Sequence, residues 1–341
     1  MFATFARGAK TLWIASAGGH VTEALEIERM IGAHGDSLWV VPRHPQTVSM
    51  LDGRRRLFVE NVVPRDSAAA WRVGRRVRRL VREEAFDRAI STGSAIAAFS
   101  LPAAAAAGVP ATYVESLARA DGPSLTGRLL RLAPRVSTYT QYRSWASTVW
   151  RYDGSVLAGY DVTTVPAPPL DRPRRILVSL GTIEPYRFDR AVRAVLDALR
   201  PSDDVTWQVG ATTGLRLPGS VHRNMAPDEL GRAMHAADVV VVHAGVGTIL
   251  QALDAGHVPL LAVRRREHGE HVDNHQTQLA GELSRRGLAV ELDLNGSNAA
   301  VFEAVRSRRV VRDESPVSER GGSERRRYIE RDRRDRLPRP T

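Results

Sequence analysis

The sequence predicts an α/β protein built from two doubly wound, parallel-sheet halves, and three observations carry that prediction. Short apolar runs alternate with amphipathic helical stretches along most of the length. The string DVTTVPAPPLDRPR, with Pro166, Pro168, Pro169 and Pro173, interrupts the alternation at residues 161–174 and reads as a semi-rigid linker. Each half also carries a glycine loop directly after an apolar strand: SAGGH at Ser16–His20 and HAGVG at His243–Gly247. These Rossmann-like halves are expected at 1–162 and 175–311, joined by 163–174, with a cleft between them. At 341 residues the chain suits two domains of about 150 residues each.

In the first half, Leu12–Ser16 is a strand, the glycine loop follows, and a helix runs from Val21 to about His34 with Leu25, Ile27 and Met30 facing inward. Further strands are expected at Leu38–Val41, Leu57–Val63, Ala89–Thr92, Ala111–Glu115 and Val136–Tyr139, with helices between them. The second half restarts with a strand from Arg175, a loop at Gly181–Pro185, a helix from about Arg187 to Leu199 and a strand at Val205–Val209. The apolar run Val239–Val242 then leads into Gly245 and Gly247, a helix opening at Thr248 and stopping at Gly256, and a strand from Val258. A helix near Gln276–Arg286 and a strand at Leu288–Leu292 close the half. Residues 312–341 hold ten arginines against seven acids with almost no apolar side chain, which predicts a disordered tail.

Composition narrows the function. With 43% hydrophobic residues both halves can bury a core. The absence of cysteine excludes disulfides, thiolate nucleophiles and Cys-based metal sites, and fits a reducing cytoplasm. The net charge of +11 rests on 49 basic residues of which only Lys10 is lysine, a skew of coding bias, and no nucleic-acid partner is expected. The apolar run Leu12–Ala17 is too short for a signal peptide, and the alanine-rich stretch Ser94–Val109, broken by Pro102, falls short of a bilayer span.

The two glycine loops point to chemistry on an anion. Glycine lets the backbone approach a ligand, and the first amides of a helix carry partial positive charge, so a phosphate is well placed there. His243, Gly245, Gly247 and Thr248 are the diphosphate candidates, against the alternative of a tight turn with no ligand. No Asp-x-Asp pair that would bridge a diphosphate through a cation occurs anywhere in the chain, so backbone amides are expected to carry the charge and no metal or cofactor is expected. His20 ends the first loop at a helix N-terminus, which favours the neutral, proton-accepting imidazole and makes it the candidate base; capping the helix or binding an acceptor phosphate is the other role open to it. His268, Glu270, His271, Asp273, Asn274, His275 and Gln276 crowd one polar loop, where the four-residue spacing of His271 and His275 leaves zinc as an alternative. The helix WRVGRRVRRLVR at 71–82 interleaves six arginines with apolar residues as an interfacial helix would, or as an ordinary surface helix packing its valines on the sheet. Leu125, Leu129, Leu130 and Leu132 beside Arg128 and Arg131 make a second candidate membrane patch.

Several strings carry a family resemblance over about residues 11–300. VSLGT at Val178–Thr182, HAGVGTILQAL from His243 and GEHVDNHQ at Gly269–Gln276 resemble the catalytic subunit of the two-subunit eukaryotic GlcNAc transferase that makes dolichol-linked chitobiose. SAGGH, STGSA at Ser91–Ala95 and YVESLARADGPSLTGRLL at Tyr113–Leu130 are similar to that enzyme's membrane-recruiting subunit and its bacterial exopolysaccharide relatives. More distantly, both halves resemble the lipid II-forming transferase of glycosyltransferase family 28. The resemblance implies a GT-B architecture. It adds Gly18, Gly19, Thr92, Gly93, Gly181 and Thr182 as substrate-loop residues, Glu115 as a second base or orienter, and a uracil pocket near Arg223–Met225 that includes Asn224. Gln251 stands where the family has a ribose-binding glutamate, and Glu270, Asn274 and Gln276 would meet the donor sugar.

The expected function is therefore inverting, metal-independent transfer from a UDP-sugar to a polyprenyl-pyrophosphate-linked saccharide, in a peripheral protein at the cytoplasmic face of the plasma membrane. A UDP-GlcNAc 2-epimerase-like enzyme and a catalytically silent scaffold for another transferase are the alternatives.

Overall fold

The computed structural model describes residue 5 and residues 7–32, 34–63, 66–182, 184–271 and 274–312. The first half contains β1 (Thr11–Ile14), α1 (Gly19–Ile31), β2 (Leu38–Pro42), α2 (Pro45–Met50), β3 (Arg56–Val59), α3 (Ser67–Glu83), β4 (Arg88–Ser91), α4 (Ala95–Ala106), β5 (Ala111–Val114), α5 (Leu125–Leu130), β6 (Val136–Thr140), β7 (Trp150–Tyr152) and β8 (Tyr160–Thr164). The second contains β9 (Arg175–Ser179), α6 (Asp189–Leu196), β10 (Asp204–Gln208), β11 (Ser220–His222), α7 (Pro227–Ala236), β12 (Val239–His243), α8 (Val246–Asp254), β13 (Leu260–Ala262), α9 (His275–Arg285), β14 (Val290–Glu291), α10 (Ala299–Ala304) and β15 (Arg308–Arg312).

Two parallel sheets result, ordered β3-β2-β1-β4-β5-β6-β7 and β11-β10-β9-β12-β13-β14. Each reverses direction beside its first strand, where β1 lies between β2 and β4 and β9 lies between β10 and β12. The crevice outside the carboxyl ends of such a pair is where open α/β sheets bind ligands. The loops after β1, β4, β9 and β12 are the four glycine loops singled out in the sequence.

Helices cover both faces, so the strands at the reversal are buried along nearly their whole length. Trp13 points to one side of β1 and stacks on Trp39, ring centres 5.2 Å apart, while Leu12 and Ile14 enter the core on the other side. One apolar cluster runs through both halves, joining Val21, Ala24 and Ile27 of α1 to Ile249, Leu250 and Leu253 of α8. The inward face of α1 is thus Val21, Ala24, Ile27 and Ile31; Leu25 and Met30, expected there, are half-buried at its edge. Gly32 in the left-handed region stops α1 at Ile31 rather than His34.

Three further expectations need correction. The valines of the arginine-rich helix α3 are not available to a bilayer, because Val73, Val77 and Val81 are buried and Gly74 packs on Phe99 of α4; Trp71 and the arginines face outward. α8 opens at Val246, before Thr248. The chain does not leave the fold at residue 312: β15 returns to pair antiparallel with β8, Val310 opposite Val162. Arg312 then bridges Glu26 of α1 and Asp254 of α8, which also accepts from the Tyr160 hydroxyl at 2.7 Å. The remainder of the expected tail, residues 313–341, lies outside the described residues.

Candidate active site at the facing sheet reversals

On the first-half side His20 is held from three directions. Its Nδ1 lies 3.1 Å from the Thr92 carbonyl, and the Thr92 hydroxyl donates back to the His20 carbonyl at 2.7 Å. A Cβ on Gly93 would sit 2.8 Å from the imidazole Cε1, so the turn after β4 needs glycine to let the ring lie against it. With Nδ1–H donated to Thr92, the neutral ring presents Nε2 as its acceptor. Burial pushes the His20 pKa down to about 4, opposed by the Thr92 carbonyl and reinforced by His275 and Arg119. Thr92 and Gly93 thus fix the position of the imidazole. The Gly18 amide is likewise taken, by the Gln46 side chain at 2.8 Å.

On the second-half side the imidazole of His243 is wedged between the two glycine loops. A Cβ at Gly245 would collide with its Nε2, and one at Gly181 would lie 2.8 Å from the ring. Its Nδ1 is buried with no hydrogen-bond partner, and burial together with the nearby Arg264 guanidinium pushes its pKa down to about 3. The ring is therefore neutral at any physiological pH. Thr182 is exposed, Thr248 and Gln251 are half-buried on α8, and Asn224 is exposed beside a half-buried Met225 whose N–H is fixed by Gln208 at 2.9 Å.

The two sides meet. A Cβ on Gly19 would lie 3.1 Å from the Val246 side chain and 3.4 Å from the Gly247 nitrogen, and one on Gly247 would lie 3.2 Å from the Thr22 hydroxyl. The N-termini of α1 and α8 abut through bare backbone, each contributing the positive end of a helix dipole. His275, at the N-terminus of α9, acts electrostatically on both His20 and His243.

Not every candidate faces this junction. Glu115 is 1% exposed, and its oxygens accept from Tyr113 Oη (3.0 Å), Ser116 N (3.2 Å), Ser124 N (2.9 Å) and Ser124 Oγ (3.0 Å). Its oxygens are thus engaged in bracing the turn into α5, an arrangement closer to the orienting role than to that of a base. Glu270, expected at the donor sugar, is 4% exposed and held in a bidentate pair by Arg190, both contacts 2.9 Å. Asn274 accepts from the Arg266 amide at 2.8 Å and Gln276 from the Arg264 amide at 3.2 Å, so these side chains build the loop. Asp273 of the same loop lies outside the described residues, and among the described residues no three histidine or acidic side chains form a metal-holding group. The organiser of this region, Arg264, was not singled out in the sequence. Fully buried, it donates to the carbonyls of Leu180 (2.8 Å), Tyr186 (3.0 Å) and Glu270 (3.0 Å) and lies over the Phe188 ring. A lone arginine in a polar loop gives no signal in sequence.

Residues 191–293, which contain every second-half candidate except Gly181 and Thr182, match the glycosyltransferase family 28 C-terminal domain. Most of the second half thus matches that domain. A 59-residue stretch is 39% identical to the UDP-N-acetylglucosamine transferase subunit ALG13 of Yarrowia lipolytica, covering 17% of this chain and 28% of that protein. Among solved structures the whole chain is similar to MurG of Acinetobacter baumannii, at 17% identity and a TM-score of 0.50, covering 86% of this chain and 89% of that one. It is also similar to the kitacinnamycin glycotransferase, at 16% identity and a TM-score of 0.56, covering 95% and 96%. At these identities the likeness establishes the fold, which is GT-B.

Proposed function

We propose that this chain is an inverting glycosyltransferase that moves a sugar from UDP to a polyprenyl-pyrophosphate-linked saccharide without a metal ion. The observation that carries the reading is the junction itself: Nε2 of a neutral, half-buried His20 stands on one side, and the N-terminal amides of α8 on the other. In the proposed step Nε2 takes the proton of the acceptor hydroxyl, whose oxygen attacks the anomeric carbon from the face opposite the diphosphate. The bond from that carbon to the diphosphate oxygen breaks, and the amides of Gly247 and Thr248 receive the charge left on UDP. A single displacement inverts the anomeric centre. The family 28 domain and the transferase names of the similar proteins support this assignment. Gln251, half-buried on α8, is the proposed ribose contact.

The test is nucleotide selectivity. UDP at 100 times its Kd should stabilise the protein by about 2.7 kcal/mol, with no shift from GDP or NAD. Absence of a UDP shift would favour a silent scaffold, and interconversion of UDP-GlcNAc in the absence of an acceptor would identify an epimerase.

The acceptor side is proposed to rest on the cytoplasmic face of the membrane. Among the described residues no helix is long and apolar enough to cross a bilayer. Leu125, Leu129 and Leu132 of the α5 region are instead 66%, 55% and 72% exposed, with Arg128 and Arg131 exposed among them. Exposed leucines among arginines suit the headgroup boundary of an anionic leaflet. Replacing all three leucines by serine should weaken binding to phosphatidylglycerol vesicles by about 10–100-fold and leave UDP affinity unchanged. Unaltered sedimentation with vesicles would remove this surface from the proposal.

A further inference from the structure

The proposed step uses His20, but a second group beside it is left unexplained. Glu23 lies one turn along α1, fully buried, and its Oε1 accepts from the Leu117 amide at 2.5 Å and the Gln141 side chain at 3.3 Å. Its Oε2 has no hydrogen-bond partner and stands 3.8 Å from Nδ1 of His20. A buried, unpartnered carboxyl oxygen is costly, and one aimed at an imidazole invites a functional account.

We infer that Glu23 is the positioning and proton-linked partner of His20, its ionised carboxylate stabilising the imidazolium that forms when Nε2 takes the acceptor's proton. The inference rests on the transferase reading of His20. A carboxylate placed on the far nitrogen of a catalytic histidine fixes the tautomer and offsets the developing positive charge without itself touching substrate. Thr92 supplies the hydrogen bond that sets the tautomer, and Glu23 supplies the charge.

The surroundings set the pH at which that charge exists. Burial pushes the Glu23 pKa up to about 8, the neighbouring Glu115 carboxylate adds to it, and the Leu117 amide, Ser116 hydroxyl and Gln141 amide oppose it. The Tyr113 and Tyr142 phenols also face Glu23, and both are themselves raised, chiefly by burial. His20 additionally faces Arg119 and His275. Below pH about 8 the pair is therefore a protonated carboxyl beside a neutral imidazole; above it, a carboxylate strengthens the base.

The experiment is a histidine-ring NMR titration of the full chain, with the His20 signal identified by its loss in His20→Asn, in parallel with the pH profile of kcat. In the wild type the His20 ring shift should step near pH 8, and kcat should rise about tenfold through the same range. Glu23→Gln should abolish both the step and the rise, with KM for the UDP-sugar unchanged. A wild-type His20 signal that is flat between pH 6 and 9.5 overturns the inference even if the variant fails to fold; an identical step in Glu23→Gln does so as well. The step without any sugar transfer would leave the pair standing and overturn the transferase reading alone.

Discussion

Replacing His20 by alanine should lower kcat by about 10²–10⁴-fold and leave UDP affinity within about twofold. The expectation follows from the separation of roles at the junction. His20 belongs to the first-half loop and its ring is fixed by Thr92 and Gly93, whereas the proposed diphosphate amides belong to α8. Removing the ring deletes the acceptor nitrogen but leaves the backbone of α8 where it is. The pKa of about 4 gives the sign of the pH dependence. The base is neutral above that value, so protonation of the ring itself should remove the remaining activity only as pH falls toward 4, well below the step expected from Glu23. Stability moves separately. An unfolded histidine binds its proton near pH 6.5, so the half-buried neutral ring costs stability progressively as pH falls from about 6.5 toward 4. His20→Ala should therefore be relatively more stable than wild type at pH 5 than at pH 8, checked by chemical denaturation at both. Calorimetry with UDP decides the role: equal losses of kcat and nucleotide affinity would show that the residue holds the fold and carries no proton.

Much of this site was legible because it lies at the sheet reversals, where the sequence advertises itself. A strand ending in SAGGH or in HAGVG announces a close backbone approach, and His20 and His243 stand at those ends. The reasons for the glycines were less visible. Gly181 and Gly245 are small because the His243 ring fills the space between them, and Gly19 and Gly247 because α1 meets α8; both facts belong to residues far apart in the chain. Glu115 was less legible. At the end of a strand it reads as catalytic, and only the turn at Ser116–Ser124 shows its oxygens to be occupied. Residues 308–312 gave no strand signal because RRVVR has only two apolar residues, and their pairing with β8 comes from the tertiary fold. Glu23 escaped notice for a related reason: an acid in the first turns of a helix is ordinarily an exposed capping group.

Gly245→Ala should destabilise the protein by about 1–3 kcal/mol and weaken UDP binding by tenfold or more. Backbone strain is not the cause, since Gly245 has φ −93° and ψ 129°, an extended conformation open to alanine. The cause is the ring of His243, which the new methyl would strike at Nε2 while Gly181 blocks retreat on its other side. A ring displaced toward the N-terminus of α8 would occupy the space proposed for the diphosphate. The double variant His243→Ala/Gly245→Ala separates this from a general defect. Without the ring the methyl has nothing to strike, so the second substitution should cost less than about 0.5 kcal/mol in the His243→Ala background. Denaturation and calorimetry on the four proteins of this cycle measure the coupling directly. Additive effects, or a Gly245→Ala protein that binds UDP as wild type does, would mean that the loop after β12 serves neither to seat the imidazole nor to hold the nucleotide.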